Sequence, residues 1–233
     1  MPEQAPLRVA ILCFSDVDQL DATGPFEVFA NLRNAVVSLV AERAEPVRDM
    51  RGFVLSPNAS FETLRAADVL VVPGGAGQEA LMDDETTLGW VRHIAAGAEL
   101  VMSVCTGALV LGAAGLLVGR RATTHWAAHD LLRYFGALPV ADRVVCDGTL
   151  ITTAGVTAGI DGALRAVAML RGESTARAIQ LGMEYAPAPP FAGGTPESTP
   201  PEIRERISQA VRPLRDRREQ TARRIRERLR LDG

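Results

Sequence analysis

Short apolar runs alternate with segments of helical periodicity along most of this chain, and that alternation restricts the fold more than any other feature. Runs typical of buried strands lie at 8–14, 35–41, 68–72, 100–104 and 122–125. Segments typical of helices lie at 84–96, 106–114, 126–135, 157–170 and 174–184. Strands that alternate with helices form a mostly parallel sheet with helices on both faces. The sequence therefore predicts an α/β protein with a flavodoxin-like, doubly wound fold.

Turn residues set the boundaries of the remaining elements. Gly24-Pro25 predicts the start of a further helix after a loop at 15–23, because Pro is favoured in the first helical turn. Residues 47–61 alternate weakly in polarity and predict a β-hairpin excursion. Residues 143–153 predict a second hairpin, with Asp147-Gly148 as its turn.

Cys105 is the residue at which the predicted strand at 100–104 meets the helix at 106–114. Such a seam lies at the carboxyl edge of a parallel sheet, where open α/β folds hold their sites. The free N–H groups of the helix N-terminus favour an anion, so we expect a lowered pKa and a nucleophilic thiolate. An inert buried thiol is the alternative, since most free cysteines are of that kind. The position favours the reactive cysteine.

Three further loops are expected at the same edge of the sheet. They carry Asp21, the turn Pro73-Gly74-Gly75 and the segment Ala154-Gly155-Val156. Gly74 and Gly75 permit a turn whose N–H groups face inward, which suits the stabilisation of negative charge beside a thiolate. A tight turn without a chemical role is the alternative for this glycine pair.

The base that a nucleophilic cysteine needs is not a neighbouring histidine, because no His is adjacent to Cys105 in sequence. Asp21 is therefore the candidate proton carrier, although an acid that only favours a helix N-terminus is an equally weighted alternative. Thr106 either hydrogen-bonds the nucleophile or fills the first helical turn. His125 and His129 follow one strand later, and we expect structural or supporting roles for them.

Composition excludes several other chemistries. The chain has no Lys, so no Schiff base forms on a lysine, and its Cys and His residues lack the spacing of a zinc site. Cys13, Cys105 and Cys146 are widely spaced and make no disulfide framework, which favours a reducing cytoplasm. The N-terminus does not resemble a signal peptide, and no apolar run is long enough to span a bilayer. We therefore expect no metal and no membrane partner.

The C-terminal region differs in character from the rest of the chain. Residues 185–201 are rich in Pro and Gly and predict an extended arm, and residues 203–231 predict an Arg-rich amphipathic helix. Apolar residues recur along this helix at helical spacing, at Ile203, Ile207, Val211 and Leu214. A basic helix can bind nucleic acid or membrane, but acidic residues interleave with the Arg residues and no aromatics accompany them. We expect an α/β domain at 1–195 and a helical extension at 196–233 that packs on that domain or on a partner subunit.

Five sequence blocks resemble the ThiJ/PfpI superfamily, the class I glutamine amidotransferase-like fold, and the likeness covers residues 7–195. The blocks are LDATGPFEVF at 20–29, VPGG at 72–75, SVCTG at 103–107, AAGLLVGRRATTHW at 113–126 and TAGVTAGID at 153–161. The longer blocks are similar to two groups of that superfamily. One is the isocyanide hydratases, which convert an isonitrile and water into an N-substituted formamide, and the other is the amidase-like domain of AraC-type regulators.

The C-terminus and two site positions separate these groups. The regulators continue into a helix-turn-helix domain of roughly one hundred residues, a common domain size, and residues 187–233 are too few for one. The segment EYAPAPPF at 184–191 resembles the hydratase ending. Thr106 stands where protease-like members carry His, and Asp21 where deglycase or chaperone-like members carry Glu. The resemblance therefore implies a hydratase, with a ligand-sensing regulatory domain or a deglycase-like stress protein as alternatives.

The resemblance also implies a role for each site residue. Cys105 attacks the isonitrile carbon, Asp21 carries the proton and activates water, and Thr106 holds Asp21 or the thiol. The backbone groups implied to bind the nucleophile or its adduct are those of Gly74, Gly75 and Val156. The implied enzyme is a cysteine-dependent hydro-lyase that needs no cofactor. Its expected partners are a small-molecule isonitrile and a second subunit in a homodimer, with no nucleic acid.

Overall fold

Residues 5–231 are described by the structure, a computed structural model, and they form a central β-sheet with helices on both faces. The strands are β1 (Leu7–Leu12), β2 (Ala35–Ala41), β3 (Val47–Arg48), β4 (Val54–Leu55), β5 (Ala59–Ser60), β6 (Val69–Val72), β7 (Leu100–Ser103), β8 (Arg121–Ala122), β9 (Leu138–Pro139), β10 (Val144–Asp147) and β11 (Leu150–Thr153). The helices are α1 (Gln19–Ala30), α2 (Gln78–Leu81), α3 (Glu85–Gly97), α4 (Gly107–Ala113), α5 (Ala158–Arg171), α6 (Glu173–Gly182), α7 (Pro201–Arg228) and a 3₁₀-helix at Trp126–Phe135.

The main sheet has seven strands in the order β10-β11-β7-β6-β1-β2-β5. All neighbouring pairs are parallel except β10 and β11, which form an antiparallel hairpin at the edge. This arrangement confirms the predicted α/β class, the mostly parallel sheet and the hairpin at 143–153. The segment at 47–61 also contains a hairpin, β3 with β4, but its last strand, β5, joins the main sheet beside β2.

Alternate residues of the buried strands point to two separate cores. Ala10 and Leu12 of β1 belong to a core shared with α3, α4, the 3₁₀-helix and the second half of α7. Val9 and Ile11 belong to the opposite core, which α1, α5 and α6 cover. A strand buried on both faces reads as a continuous apolar run, as this one does in the sequence.

Helix α1 begins earlier than the sequence predicts. Asp18 is extended and its side chain accepts a hydrogen bond from the N–H of Leu20, so the helix starts at Gln19 and not at Gly24-Pro25. Pro25 lies inside the helix, where it removes one backbone hydrogen bond. The proline ring packs on α5, where it lies beside Gly159. Asp21 is therefore in the first helical turn and not in a loop.

Helix α7 packs on the domain mainly through its second half, and the buried residues there continue the face on which Ile203 and Ile207 lie. Ile203 and Ile207 are 39% and 43% exposed. The buried residues lie in the second half of the helix and are Arg218, Thr221, Ala222 and Ile225. Residues 185–200 contain no helix or strand, as the Pro and Gly content predicts. None of the helices within residues 5–231 combines the length and the apolar character that crossing a membrane requires.

Candidate active site

Cys105 lies in a strained turn between β7 and α4. Its φ is 55°, a left-handed conformation that is uncommon for a residue with a side chain and costs about 1–3 kcal/mol. The backbone is held there from both sides: the N–H of Cys105 donates to the carbonyl of Ala154 at 3.0 Å, and its carbonyl accepts from Thr124 Oγ1 at 2.7 Å. Gly107 lets α4 start close to β6, because a Cβ at this position would overlap the carbonyl oxygen of Val72. The sharp turn directs the thiol toward the carboxyl edge of the sheet.

Asp21 is fully buried beside this thiol. Its Oδ2 atom accepts a hydrogen bond from the N–H of Gly74 at 2.8 Å, and its carboxyl group is hydrogen-bonded to Cys105. Oδ1 has no hydrogen-bond partner among the residues that the structure describes. Burial raises the pKa of Asp21 to about 7, against the lowering effect of these two hydrogen bonds. The carboxyl group can therefore both take and give a proton near neutral pH.

The pKa of Cys105 is raised, which corrects the lowered pKa expected from the sequence. Burial is the largest cause and the carboxylate of Asp21 is the second. The N–H groups of Thr106 and Val156 and the guanidinium of Arg218 act in the opposite direction, as the helix N-terminus predicts, but they are outweighed. The cysteine is therefore a thiol that needs a base, and the hydrogen-bonded Asp21 is in place to be that base.

The glycine pair supports the acid and the hydroxyl, and not the sulfur atom. The N–H of Gly74 donates to Asp21, and the N–H of Gly75 donates to Thr106 Oγ1 at 3.3 Å. A Cβ on Gly74 would lie 2.6 Å from the backbone nitrogen of Thr106, so no larger residue fits there. Gly75 has a φ of 135°, which also favours glycine. In this structure the N–H groups of Gly74 and Gly75 therefore hold the acid and the hydroxyl in position.

Val156 is the second strained residue of the site. Its φ is 37°, a genuine outlier for a β-branched residue, and its N–H is hydrogen-bonded to Cys105. It follows Gly155, where a Cβ would lie 2.8 Å from Cδ2 of His125. Cys105 and Val156, the two residues with a side chain and a positive φ beside the thiol, are thus both backbone outliers. Such outliers concentrate at functional sites.

Two side chains lie near the thiol although the sequence does not predict them there. His125 borders the turn before Val156, and burial lowers its pKa, so its ring is neutral at neutral pH. Arg218 extends from α7 and its Nη2 atom donates to the carbonyl of Gly75 at 2.6 Å. Arg218 is separated from Gly75 by 143 residues, and only tertiary packing shows the contact. Residues 5–231 contain no cluster of His, Cys, Asp or Glu suited to a metal ion.

Comparison with known proteins finds a family, sequence relatives and a solved structure that agree with one another. The model of the DJ-1/PfpI family matches residues 7–169. The isonitrile hydratase of Pseudomonas putida is 54% identical over 194 residues, which are 83% of this chain and 85% of that protein. The HTH-type transcriptional regulator CdhR of Pseudomonas aeruginosa is 36% identical over 143 residues, 60% of this chain and 41% of that protein. The crystal structure of a ThiJ/PfpI family protein from Pseudomonas syringae has a TM-score of 0.91 at 38% identity, over 95% of this chain and 92% of that one.

Proposed function

The chain belongs to the DJ-1/PfpI family, and from this premise we propose that it is an isonitrile hydratase that uses Cys105 as its nucleophile. The enzyme adds water to an isonitrile and releases an N-substituted formamide. The likeness to the Pseudomonas putida enzyme, over most of both chains, supports the activity. The observation in the site that carries the proposal is the hydrogen-bonded pair of Cys105 and Asp21, both buried.

In the first half of the reaction, the sulfur of Cys105 attacks the terminal carbon of the isonitrile. Asp21 accepts the thiol proton as the carbon–sulfur bond forms, and it then delivers that proton to the same carbon. The product is a thioimidate in which the former terminal carbon carries one hydrogen and the sulfur. The pKa of Asp21, about 7, suits a group that acts as base and then as acid in consecutive steps.

In the second half, water hydrolyses the thioimidate. Asp21, again a carboxylate, takes one proton from water while the oxygen bonds to the carbon, and it passes this proton to the nitrogen. When the tetrahedral adduct collapses to the formamide, the carbon–sulfur bond breaks and the hydroxyl proton returns to the sulfur of Cys105. The thiol is restored and the net change is the addition of one water molecule. Removal of the carboxyl group is therefore expected to slow both halves.

The backbone N–H groups and the Thr106 hydroxyl around the thiol have different roles in this mechanism. The N–H groups of Val156 and Thr106 stabilise negative charge on the sulfur as the proton leaves it. Thr106 Oγ1 accepts from the N–H of Gly75, and Gly74 holds the carboxyl group of Asp21. Thr106 thus supports the site through its hydroxyl and its N–H together.

The remaining features of the protein are proposed on narrower support. The three cysteines are free, which is in keeping with a reducing cytoplasm. We propose a homodimer without a nucleic-acid partner, in which residues 196–233 form an extension of the domain at 1–195. Ion pairs between α7 and the domain, such as Arg224 with Asp83, support an extension that packs on its own chain.

The test is an absorbance assay for formamide formation from a simple aryl isocyanide. Wild-type protein is expected to turn over, whereas Cys105→Ala gives the background rate. Cys146→Ala, which removes a half-buried thiol at the sheet edge, is the matched control and keeps wild-type turnover. No formamide from any of several isocyanides, with a folded wild-type protein, would contradict the proposal. Salt-sensitive DNA binding would then favour the regulatory alternative, and release of a sugar-derived adduct from a glycated peptide would favour the deglycase alternative.

A further inference from the structure

Arg218 is a buried cation at the active site, supplied by the C-terminal helix. Its side chain is 9% exposed, and Nη2 donates to the carbonyl of Gly75 at 2.6 Å and lies 3.4 Å from Thr106 Oγ1. Thr106 is the residue whose N–H acts on the sulfur of Cys105, and Gly75 follows Gly74, which holds Asp21. Arg218 is therefore next to the reactive groups without being part of the elements at the sheet edge.

No carboxylate lies at ion-pair distance from Arg218 within residues 5–231, although Glu79 of α2 is near enough to favour its charged form. Other arginines of α7 form ion pairs: Arg215 with Asp130 and Glu219, Arg223 with Glu219, and Arg224 with Asp83. Arg218 forms no such pair within residues 5–231, and its buried Nε atom has no hydrogen-bond partner there. A buried charge is strongly unfavourable unless hydrogen bonds or nearby opposite charge compensate it. The negative charge shared by Cys105 and Asp21 is the compensation that the site itself can provide.

The second half of α7 is anchored in a way that fixes the position of Arg218. Thr221 Oγ1 donates to Glu79 of α2 at 2.8 Å, and Ala222 and Ile225 are buried in the core. Arg228 Nη2 donates to the carbonyl of Met82 at 3.3 Å. The first half of the helix lacks comparable burial, with Ile207 43% exposed. The anchored half thus holds a guanidinium in place with little freedom to move away.

We propose that Arg218 is a positioning residue of the active site, which fixes the Gly75 carbonyl and the Thr106 hydroxyl and favours the state in which the Cys105–Asp21 pair carries one negative charge. Its effect on turnover rests on the proposed function, whereas its effect on the cysteine does not. Helix α7 is, in this view, a required part of the site. From the sequence, only a packing role is expected for this helix.

The proposal has a defined consequence for pH dependence. Loss of the cation removes a stabilising charge from the anionic pair, so the thiol becomes reactive only at higher pH. Other ionisable groups near the pair remain in place in every variant; they are Asp18 at the start of α1, Arg51 after β3, Glu79 of α2, His125 before the 3₁₀-helix and Arg217 of α7. Their contribution is therefore common to all the proteins compared.

The experiment measures the rate at which iodoacetamide, an uncharged reagent, alkylates Cys105 as a function of pH. Mass spectrometry of the peptide that contains Cys105 separates this signal from Cys13 and Cys146. Arg218→Met is expected to shift the midpoint upward by about one pH unit, the effect of one nearby opposite charge, which is about tenfold slower labelling near neutral pH. Arg218→Lys keeps the charge and is expected to stay within about half a unit of wild type. Arg223→Met, which removes an exposed cation from the same helix, is the matched control and leaves the profile unchanged.

Turnover gives a second readout, in which Arg218→Met lowers kcat about tenfold with little change in KM, since the residue does not touch substrate. An unchanged alkylation profile in a folded Arg218→Met protein would overturn the proposal, even if turnover fell. If the Met variant does not fold, Arg218→Lys decides: a full one-unit shift in that variant would contradict the role of the charge. A shifted profile in a protein that hydrates no isonitrile would leave Arg218's role intact and count against the proposed function alone.

Discussion

The ends of β1 and β7 each carry a buried cysteine, and only one of them has the surroundings of a nucleophile. Cys13 follows β1 directly and is 2% exposed; Cys105 comes two residues after β7 and is 7% exposed. Both lie at the carboxyl edge of parallel strands, and burial raises the pKa of both, that of Cys13 to about 12. Position at the sheet edge and burial therefore do not distinguish them.

The difference lies in what each thiol contacts. Cys13 is packed among apolar residues of the core, with a backbone group of Val40 as its polar neighbour. Cys105 has a positive φ, a hydrogen-bonded carboxyl group from Asp21 and the N–H of Val156. A buried thiol becomes useful for catalysis when a base can remove its proton and donors can stabilise the resulting charge. The groups that contact each thiol, and not how deeply the thiol is buried, therefore determine its role.

The largest expected effect separates the two cysteines directly. Cys105→Ala is expected to reduce formamide formation to the background rate, because no carboxyl group within residues 5–231 is coupled to Cys13 or Cys146. Circular dichroism should show an intact fold, since alanine fits a turn already built for a small side chain. The measurement is turnover of an aryl isocyanide at enzyme excess. Turnover above background in the alanine variant would remove the distinction between the two strand ends.

Loss of the carboxyl group is the next largest effect. Asp21→Asn keeps the shape of the side chain and loses its proton, and we expect turnover to fall by about 10²–10⁴-fold, the usual contribution of general acid–base catalysis. Asp84→Asn, at the cap of α3, is a matched control with wild-type turnover, because Asn also caps helices. Full activity in Asp21→Asn across the pH range would assign the proton to another residue.

The same carboxyl group is expected to lower stability at alkaline pH. Its pKa is about 7 in the folded protein and about 3.9 in an unfolded chain, so the folded state binds more protons between these values. Stability contributed by protonated Asp21 is therefore present below about pH 4 and is lost as pH rises to about 7. Asp21→Asn removes this loss and is expected to raise the free energy of unfolding at pH 8 by up to about 4 kcal/mol, with little change at pH 4. Urea unfolding at both pH values measures it; equal effects at the two values would contradict the assigned pKa.

The smallest expected effect on turnover is at the other strand end. Cys13→Ala is expected to keep wild-type turnover and to lower the free energy of unfolding by about 1 kcal/mol, because it leaves a small cavity in the core. Turnover and thermal unfolding of the purified variant test both parts. A loss of activity without a loss of stability would mean that the two cysteines are more alike than their surroundings indicate.

The sequence predicts the parts of this molecule that depend on local pattern. The strand at Ala35–Ala41 and the helix after Asp84 are where the apolar runs and the cap place them. The predicted start of α1 at Gly24-Pro25 was wrong, because the prediction rested on Pro25 alone and the helix begins after the cap at Asp18. Local rules do not report packing between distant segments.

The candidate site likewise has features that the sequence predicts and features that only the tertiary structure shows. The meeting of Cys105, Asp21 and the glycine turn follows from the rule that parallel strands share a carboxyl edge. The raised pKa of Cys105 was missed, because the amount of burial and the distance to Asp21 depend on tertiary structure. Arg218 was missed for a related reason: an arginine in an Arg-rich helix looks solvated in sequence, and its contact with Thr106 spans 112 residues.

The most direct test of the covalent mechanism is peptide mapping of wild-type enzyme that is quenched in acid during the first turnovers with an aryl isocyanide. We predict that the peptide containing Cys105 gains the mass of one isonitrile molecule, as the thioimidate requires. We also predict that the peptide containing Cys13 stays unmodified. Formamide production with the added mass on Cys13, on Cys146 or on no cysteine peptide would contradict the claim that Cys105 is the nucleophile.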